Sequence, residues 1–147
     1  MVAVFVDTNV LVYARDAAYP EKQVQAMRWL EALWASRAGR LSHQVLNEYY
    51  DVVTRRLQPG LDRATARADV RRLLVWDPVV VDRRVIEGAW TLQDRFQTSW
   101  WDALIVSAAR EAGCGFLLSE DMQHDAQLGT VRVIDPFRAG PEDVLVA

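Results

Sequence analysis

The stretch that decides the fold is Val2-Ala3-Val4-Phe5-Val6-Asp7-Thr8-Asn9. Five apolar residues in a row, rich in β-branched and aromatic side chains, read as a buried strand of a parallel sheet. The run stops at an acid followed by two residues that favour helix starts. The strand therefore delivers a carboxylate to a sheet edge, and Thr8 caps a short helix over residues 9–15. Open α/β sheets place their chemistry at that edge.

Outward from this strand, helical and extended signals alternate. Pro20 opens a longer helix with Val24, Met27, Leu30 and Leu33 at helical spacing, and Gly39 closes it. An extended piece at Arg40 and Leu41 leads to Ser42, a cap for a helix through Leu57 with Leu46, Tyr49 and Val53 on one side; Pro59 and Gly60 terminate it. Asp62 starts a helix to about Val75, residues 78–81 read as a short valine-rich strand, and residues 83–96 return as helix. Thr98 and Ser99 begin a helix to Ala112 that is apolar nearly all round, so it is expected to be buried. Residues 116–118 and 131–134 read as further strands, the first ending in Ser119, Glu120 and Asp121. Strand separated from strand by helix is the pattern of an α/β fold whose mainly parallel sheet is covered on both faces. The expected domain covers residues 1–137, with 138–147 as a C-terminal tail.

Composition narrows the function classes. At 147 residues, 51% hydrophobic and 25% charged, the chain makes one domain that buries roughly 70% of its unfolded surface. The N-terminal apolar run is too short for a secretory signal or a membrane span, so the reading is a cytoplasmic protein without a membrane partner. Cys114 is the only cysteine, which excludes an internal disulfide and a thiolate zinc cluster and leaves a structural thiol. A net charge of −3 argues against holding nucleic acid by bulk positive potential. The basic residues are 16 arginines and a single lysine, Lys22.

Right-handed crossovers bring the strand ends at Asp7 and Asp121 to one sheet edge. The helix from Ser99 carries Asp102 in its first turn, and Glu48 lies early in the helix after Ser42. Each acid also has an ordinary use. Ser99 to Asp102 matches a capping box, Asp121 suits a turn, and Glu48 suits a solvated helix face. Asp7, directly after an apolar strand, has little to do for stability. Four carboxylates at one edge repel, and a cation is needed for all to stay ionised. His43 and His124 have no ligand-spaced partner, which argues against zinc. All-oxygen ligands favour Mg²⁺ or Mn²⁺, held by carboxylates and by the phosphate oxygens of a substrate.

Three segments together carry a family resemblance: Val4 to Leu11, Trp101-Asp102-Ala103-Leu104-Ile105, and Leu118-Ser119-Glu120-Asp121. In order and spacing they resemble the PIN domain, and within it the toxic ribonucleases of bacterial VapBC toxin–antitoxin modules, over about residues 2–137. The resemblance implies a three-layer α/β/α sandwich and a Mg²⁺- or Mn²⁺-dependent endoribonuclease. By position, Asp7, Glu48, Asp102 and Asp121 match the family's acidic quartet. Asp7 and Asp102 would hold metal directly, with Glu48 and Asp121 acting directly or through water. Thr8 and Asn9 match the polar pair that orients the first aspartate, Ser99 caps the helix beside the site, and Asp125 is read as unrelated to the quartet. The same resemblance implies an antitoxin segment docked as a helix in a groove near Trp29 and Trp34, and a homodimer. For RNA, the sequence offers Trp100 as a stacking platform and Arg63, Arg67 and Arg71, four apart on one helix face, as phosphate contacts. Trp101 is expected in the core.

Two rivals remain. A strand ending in Asp-Thr-Asn also resembles phosphoryl-transfer enzymes of the haloacid dehalogenase type and receiver domains. Both need a downstream lysine, and Lys22 falls too early. The alternative on the same fold is a non-catalytic RNA- or partner-binding module, which predicts binding without cleavage.

Overall fold

Strand β1 (Val4–Val6) is buried at every residue, as its sequence requires of a strand inside a parallel sheet. In the computed structural model, residues 2–145 are described. The chain continues through α1 (Thr8–Tyr13), α2 (Pro20–Ser36), β2 (Gly39–Arg40), α3 (His43–Arg55), α4 (Arg63–Leu73), α5 (Arg83–Phe96), α6 (Trp100–Glu111), β3 (Phe116–Leu118), β4 (Gln127–Leu128) and β5 (Val131–Ile134). The sheet order is β2-β1-β3-β5-β4, parallel except for the β4–β5 pair. Helices flank it, with α2 against β2 and α6 against β3 and β5. The result is the expected three-layer α/β/α sandwich around a mainly parallel sheet. Because α6 is sandwiched, residues 103–109 are all buried.

The local differences have physical reasons. Residues 78–81 form no named strand. Edge strand β2 is only two residues long, so this segment finds a single parallel bridge, Ser42 to Val79, with Val79 N donating to Leu41 O at 2.9 Å. Helix α2 ends at Ser36 because Arg37 turns into the left-handed region (φ 60°). Gly39 serves close packing instead, since the Trp76 ring lies where a Cβ would stand. Helix α3 stops at Arg55, and α4 tightens into a 3-10 turn at Leu74–Trp76. Strand β4, which the sequence does not announce, is half of a tight hairpin that turns at Gly129 with φ 68°.

The segment expected to be a tail does not trail away. Trp29, fully buried on α2, donates its indole N–H to Pro136 O at 3.0 Å and Ala139 O at 3.1 Å. Pro141 and Val144 are buried too, and Arg28 pairs with Glu142. Apolar residues spaced along 136–145 thus fasten this stretch to α2; the last two positions of the tail, 146 and 147, lie outside the described residues.

Candidate active site

Parallel register brings the carboxylates together. Val6 pairs with Leu118, so Asp7 and Ser119 leave their strands side by side, with Asp7 N donating to Leu118 O at 3.0 Å. Strand β1 lies between β2 and β3, where the connections reverse direction, and the crevice of such a sheet opens beyond the strand ends at this place.

Asp7 caps α1, one carboxylate oxygen accepting from Thr8 N at 2.8 Å. Its other oxygen accepts from the Ser119 hydroxyl at 2.8 Å and the Asn9 amide at 3.2 Å. The same Asn9 nitrogen lies 3.2 Å from an Asp121 oxygen, while Asn9 Oδ1 accepts from Glu120 N at 3.1 Å. One amide therefore ties β1's acid to β3's acid. The Thr8 hydroxyl donates to Glu48 Oε2 at 2.8 Å, and Gln44 donates to Oε1 at 2.9 Å. Asp102 N donates to Ser99 Oγ at 3.2 Å, the helix cap expected from sequence, and leaves the Asp102 carboxylate half-exposed in the first turn of α6.

Burial pushes Asp7, only 7% exposed, up to about 6, and the charges of Asp121 and Glu48 push the same way against the bonds from Ser119 and Thr8. Asp121 is raised as well, by burial and by the charges of Glu120 and Asp102, with the Asn9 bond opposing. All four acids thus take part in one field. Among the described residues none of the four has a salt-bridge partner. Glu120 differs: it pairs with Lys22, whose ammonium sits over the rings of Tyr13 and Phe137.

Among the described residues, no three His, Cys, Asp or Glu side chains gather tightly enough to hold one ion. The donor set is all oxygen, which suits Mg²⁺ or Mn²⁺, ions held by one or two carboxylates with water and phosphate completing the shell. It does not suit zinc, since His124 Nδ1 accepts from Asp135 N and His43 is exposed at the start of α3.

Hydrogen bonds join Asp7, Thr8, Asn9, Glu48 and Asp121 into one network, and Asp102 enters it through charge. Asp125 stands apart, bonded to Arg132 at 2.6 Å. The tryptophans exchange their expected places. Trp100 packs partly on the core, whereas Trp101 is 64% exposed, because neighbouring residues of a helix lie about 100° apart and the first turn of α6 is covered on one side. Of the α4 arginines, Arg67 and Arg71 line a cavity against α3 and Arg63 does not. Trp29 is walled in, while Trp34 lines an open groove with Leu11, Met27 and Leu30. Ser119 is the site residue that sequence reasoning passed over. The signal available was its position one step beyond β3, level with Asp7 one step beyond β1.

The PIN domain profile matches residues 4–126. A toxin–antitoxin complex from Klebsiella pneumoniae contains a similar fold, with TM-score 0.66 and 17% identity over 91% of this chain and 97% of that one. VapC20 of Mycobacterium tuberculosis, a sarcin–ricin loop cleaving toxin, gives 0.57 and 24% over 78% and 87%. VapBC2 of Rickettsia felis, bound to a fragment of its promoter DNA, gives 0.57 and 15% over 89% and 96%. No curated protein sequence matches the chain. At such identities the solved structures speak for the fold; the profile, spanning most of the sequence and all three acidic segments up to Asp121, speaks for descent, and the chain belongs to the PIN domain family.

Proposed function

We propose that the protein is a Mg²⁺- or Mn²⁺-dependent endoribonuclease and the toxin of a toxin–antitoxin pair. The observation that carries this reading is the wiring of Asp7, Asp121 and Glu48 by Asn9 and Thr8 around a buried acid that has no cation beside it. Uncompensated carboxylates held at fixed spacing are costly, and a divalent ion turns that cost into affinity. When bound, such an ion activates water for attack on phosphorus and steadies charge on the leaving 3′ oxygen. Asp7 and Asp102 would hold it directly, and Glu48 and Asp121 directly or through water. Thr8 fixes the Glu48 carboxylate, Asn9 sets Asp7 against Asp121, Ser119 locks the Asp7 rotamer, and Ser99 starts the helix that presents Asp102.

The partner half of the proposal rests on a groove of about 290 Å³ whose apolar lining comes from Leu11 of α1, Met27, Leu30 and Trp34 of α2, and Leu73 of α4, with the charged side chains of Arg15, Glu31, Asp69 and Arg72 beside them. An apolar strip flanked by charges of both signs accepts the apolar face of an amphipathic helix, here one from the antitoxin. The homodimer belongs to the same reading, and light scattering on the purified chain checks it.

The test is cleavage of a fluorophore-quenched RNA. Mn²⁺ should switch it on, chelator should switch it off, and Asp7→Asn should abolish it. Mn²⁺ should also raise the melting temperature of the wild type and leave that of Asp7→Asn unmoved. The non-catalytic alternative draws on the looseness of the cluster, in which no three ligating side chains meet among the described residues. It wins if RNA binds and is cut no faster than by Asp7→Asn.

A further inference from the structure

Helix α3 carries Glu48 toward the acids and Asn47, its neighbour, toward a second feature. Between α3 and α4 lies a cavity of about 260 Å³ lined by Leu46, Asn47, Tyr50, Arg67, Val70 and Arg71. Its floor is apolar, with Leu46 buried and Val70 half-buried, and its rim is cationic. Arg67 Nε donates to Tyr50 OH at 3.1 Å, which ties that guanidinium to α3 beside the cavity. Arg15, Arg28, Arg55, Arg83 and Arg132 each reach a carboxylate. Like the remaining arginines, Arg67 and Arg71 reach none among the described residues; what sets these two apart is that both are exposed and line this cavity.

Two guanidinium groups without a carboxylate partner, beside an apolar floor and against the helix that also carries Glu48, match the chemistry of a nucleotide: phosphate for the arginines, sugar or base for Leu46, Tyr50 and Val70. An acidic peptide would satisfy the arginines but would meet the like charge of Glu48 on the same helix. RNA enters that neighbourhood through the metal. We propose that this cavity is a subsite for a nucleotide flanking the scissile phosphate, so that the RNA strand leaves the acids over α3 and is held by Arg67 and Arg71. The proposal rests on the nuclease reading for its register, but its binding test is independent of cleavage.

The experiment measures binding of a fluorescein-labelled single-stranded RNA to Asp7→Asn protein with Mg²⁺ present. Arg67→Gln/Arg71→Gln in that background should weaken Kd at least tenfold and flatten the log Kd against log salt line by about 1.4, roughly 0.7 for each phosphate contact. Arg83→Gln/Arg84→Gln, an equal charge change on α5, should do neither. In active protein the α4 pair should raise KM and leave kcat unchanged. Equal Kd and slope for the two double variants would overturn the subsite, as would a shift in oligomeric state by light scattering with RNA affinity unchanged, which would assign the cavity to a protein interface. Arginine-dependent RNA binding by a wild type that never cleaves would leave the subsite standing and remove the nuclease reading.

Discussion

Asp7 and Asp69 are almost equally buried, at 7% and 8% exposed, yet they are pushed in opposite directions. Burial raises both. At Asp69 it is more than offset by Arg15, bidentate at 2.7 and 2.9 Å, and by the Tyr49 hydroxyl at 2.5 Å, so the carboxyl ends below its ordinary range. At Asp7 only neutral donors oppose burial, two further acids add to it, and the group rises to about 6. Asp69 has its cation built into the fold; Asp7 has none among the described residues, as the proposed metal site requires.

Exchanging each for asparagine should split the pair most widely. Asp69→Asn leaves Arg15 without its counter-charge, and because Arg15 is partly solvated the expected loss is about 2–4 kcal/mol rather than the full value for a sealed pair. Asp7→Asn should instead gain up to about 3 kcal/mol at pH 7.5 in chelator, since a charge held at a disadvantage of about two pKa units is removed. Urea unfolding of the two variants decides it. Changes of the same sign would erase the distinction between the two acids.

The next effect is the pH dependence of wild-type stability without metal. Asp7 is raised in the fold, so between its ordinary value of 3.8 and about 6 the native state keeps a proton that the unfolded chain has released. Stability from this group is complete below that window and is lost as pH rises through it, by up to about 3 kcal/mol. Asp69 runs the other way: its contribution is complete above the ordinary carboxylate range and disappears as pH falls below it. Unfolding midpoints at pH 4.5 and 7.5 should therefore differ more in wild type than in Asp7→Asn, and saturating Mn²⁺ should restore the wild type at the higher pH. An unchanged difference in Asp7→Asn would place the titration elsewhere.

The two acids were also unequally legible. Asp7 stands out because a wholly apolar strand runs straight into it, whereas Asp102 and Asp121 taken singly read as a helix cap and a turn and stand out only by their shared placement with Asp7. Asp69 sits among arginines on an amphipathic helix, where nothing local distinguishes a clamped carboxylate from a solvated one; its partners lie 54 and 20 residues away. Long-range packing likewise decided what periodicity did not. Residues 78–81 have strand character but meet a two-residue edge. Trp100 and Trp101 exchange places because the first turn of α6 is covered on one side, which is the side Trp100 takes. The arginine-rimmed cavity exists only once α3 and α4 are packed together.

The smallest effect tests whether neutral donors alone govern Asp7. Ser119 is fully buried, donates to Asp7 Oδ2, and accepts from Asn9 Nδ2 and Asp121 N at 3.2 Å each. Ser119→Ala removes the donor that favours the charged carboxylate, so the Asp7 transition should move alkaline. It should cost about 1 kcal/mol at pH 7.5 and less at pH 4.5, where Asp7 is protonated and the bond to an anion is already gone. A loss equal at both pH values would mean that Ser119 only fills space between the strands. A loss confined to the higher pH would make it the hydroxyl that holds the Asp7 charge ready, in the role that Arg15 plays for Asp69 but without a charge of its own.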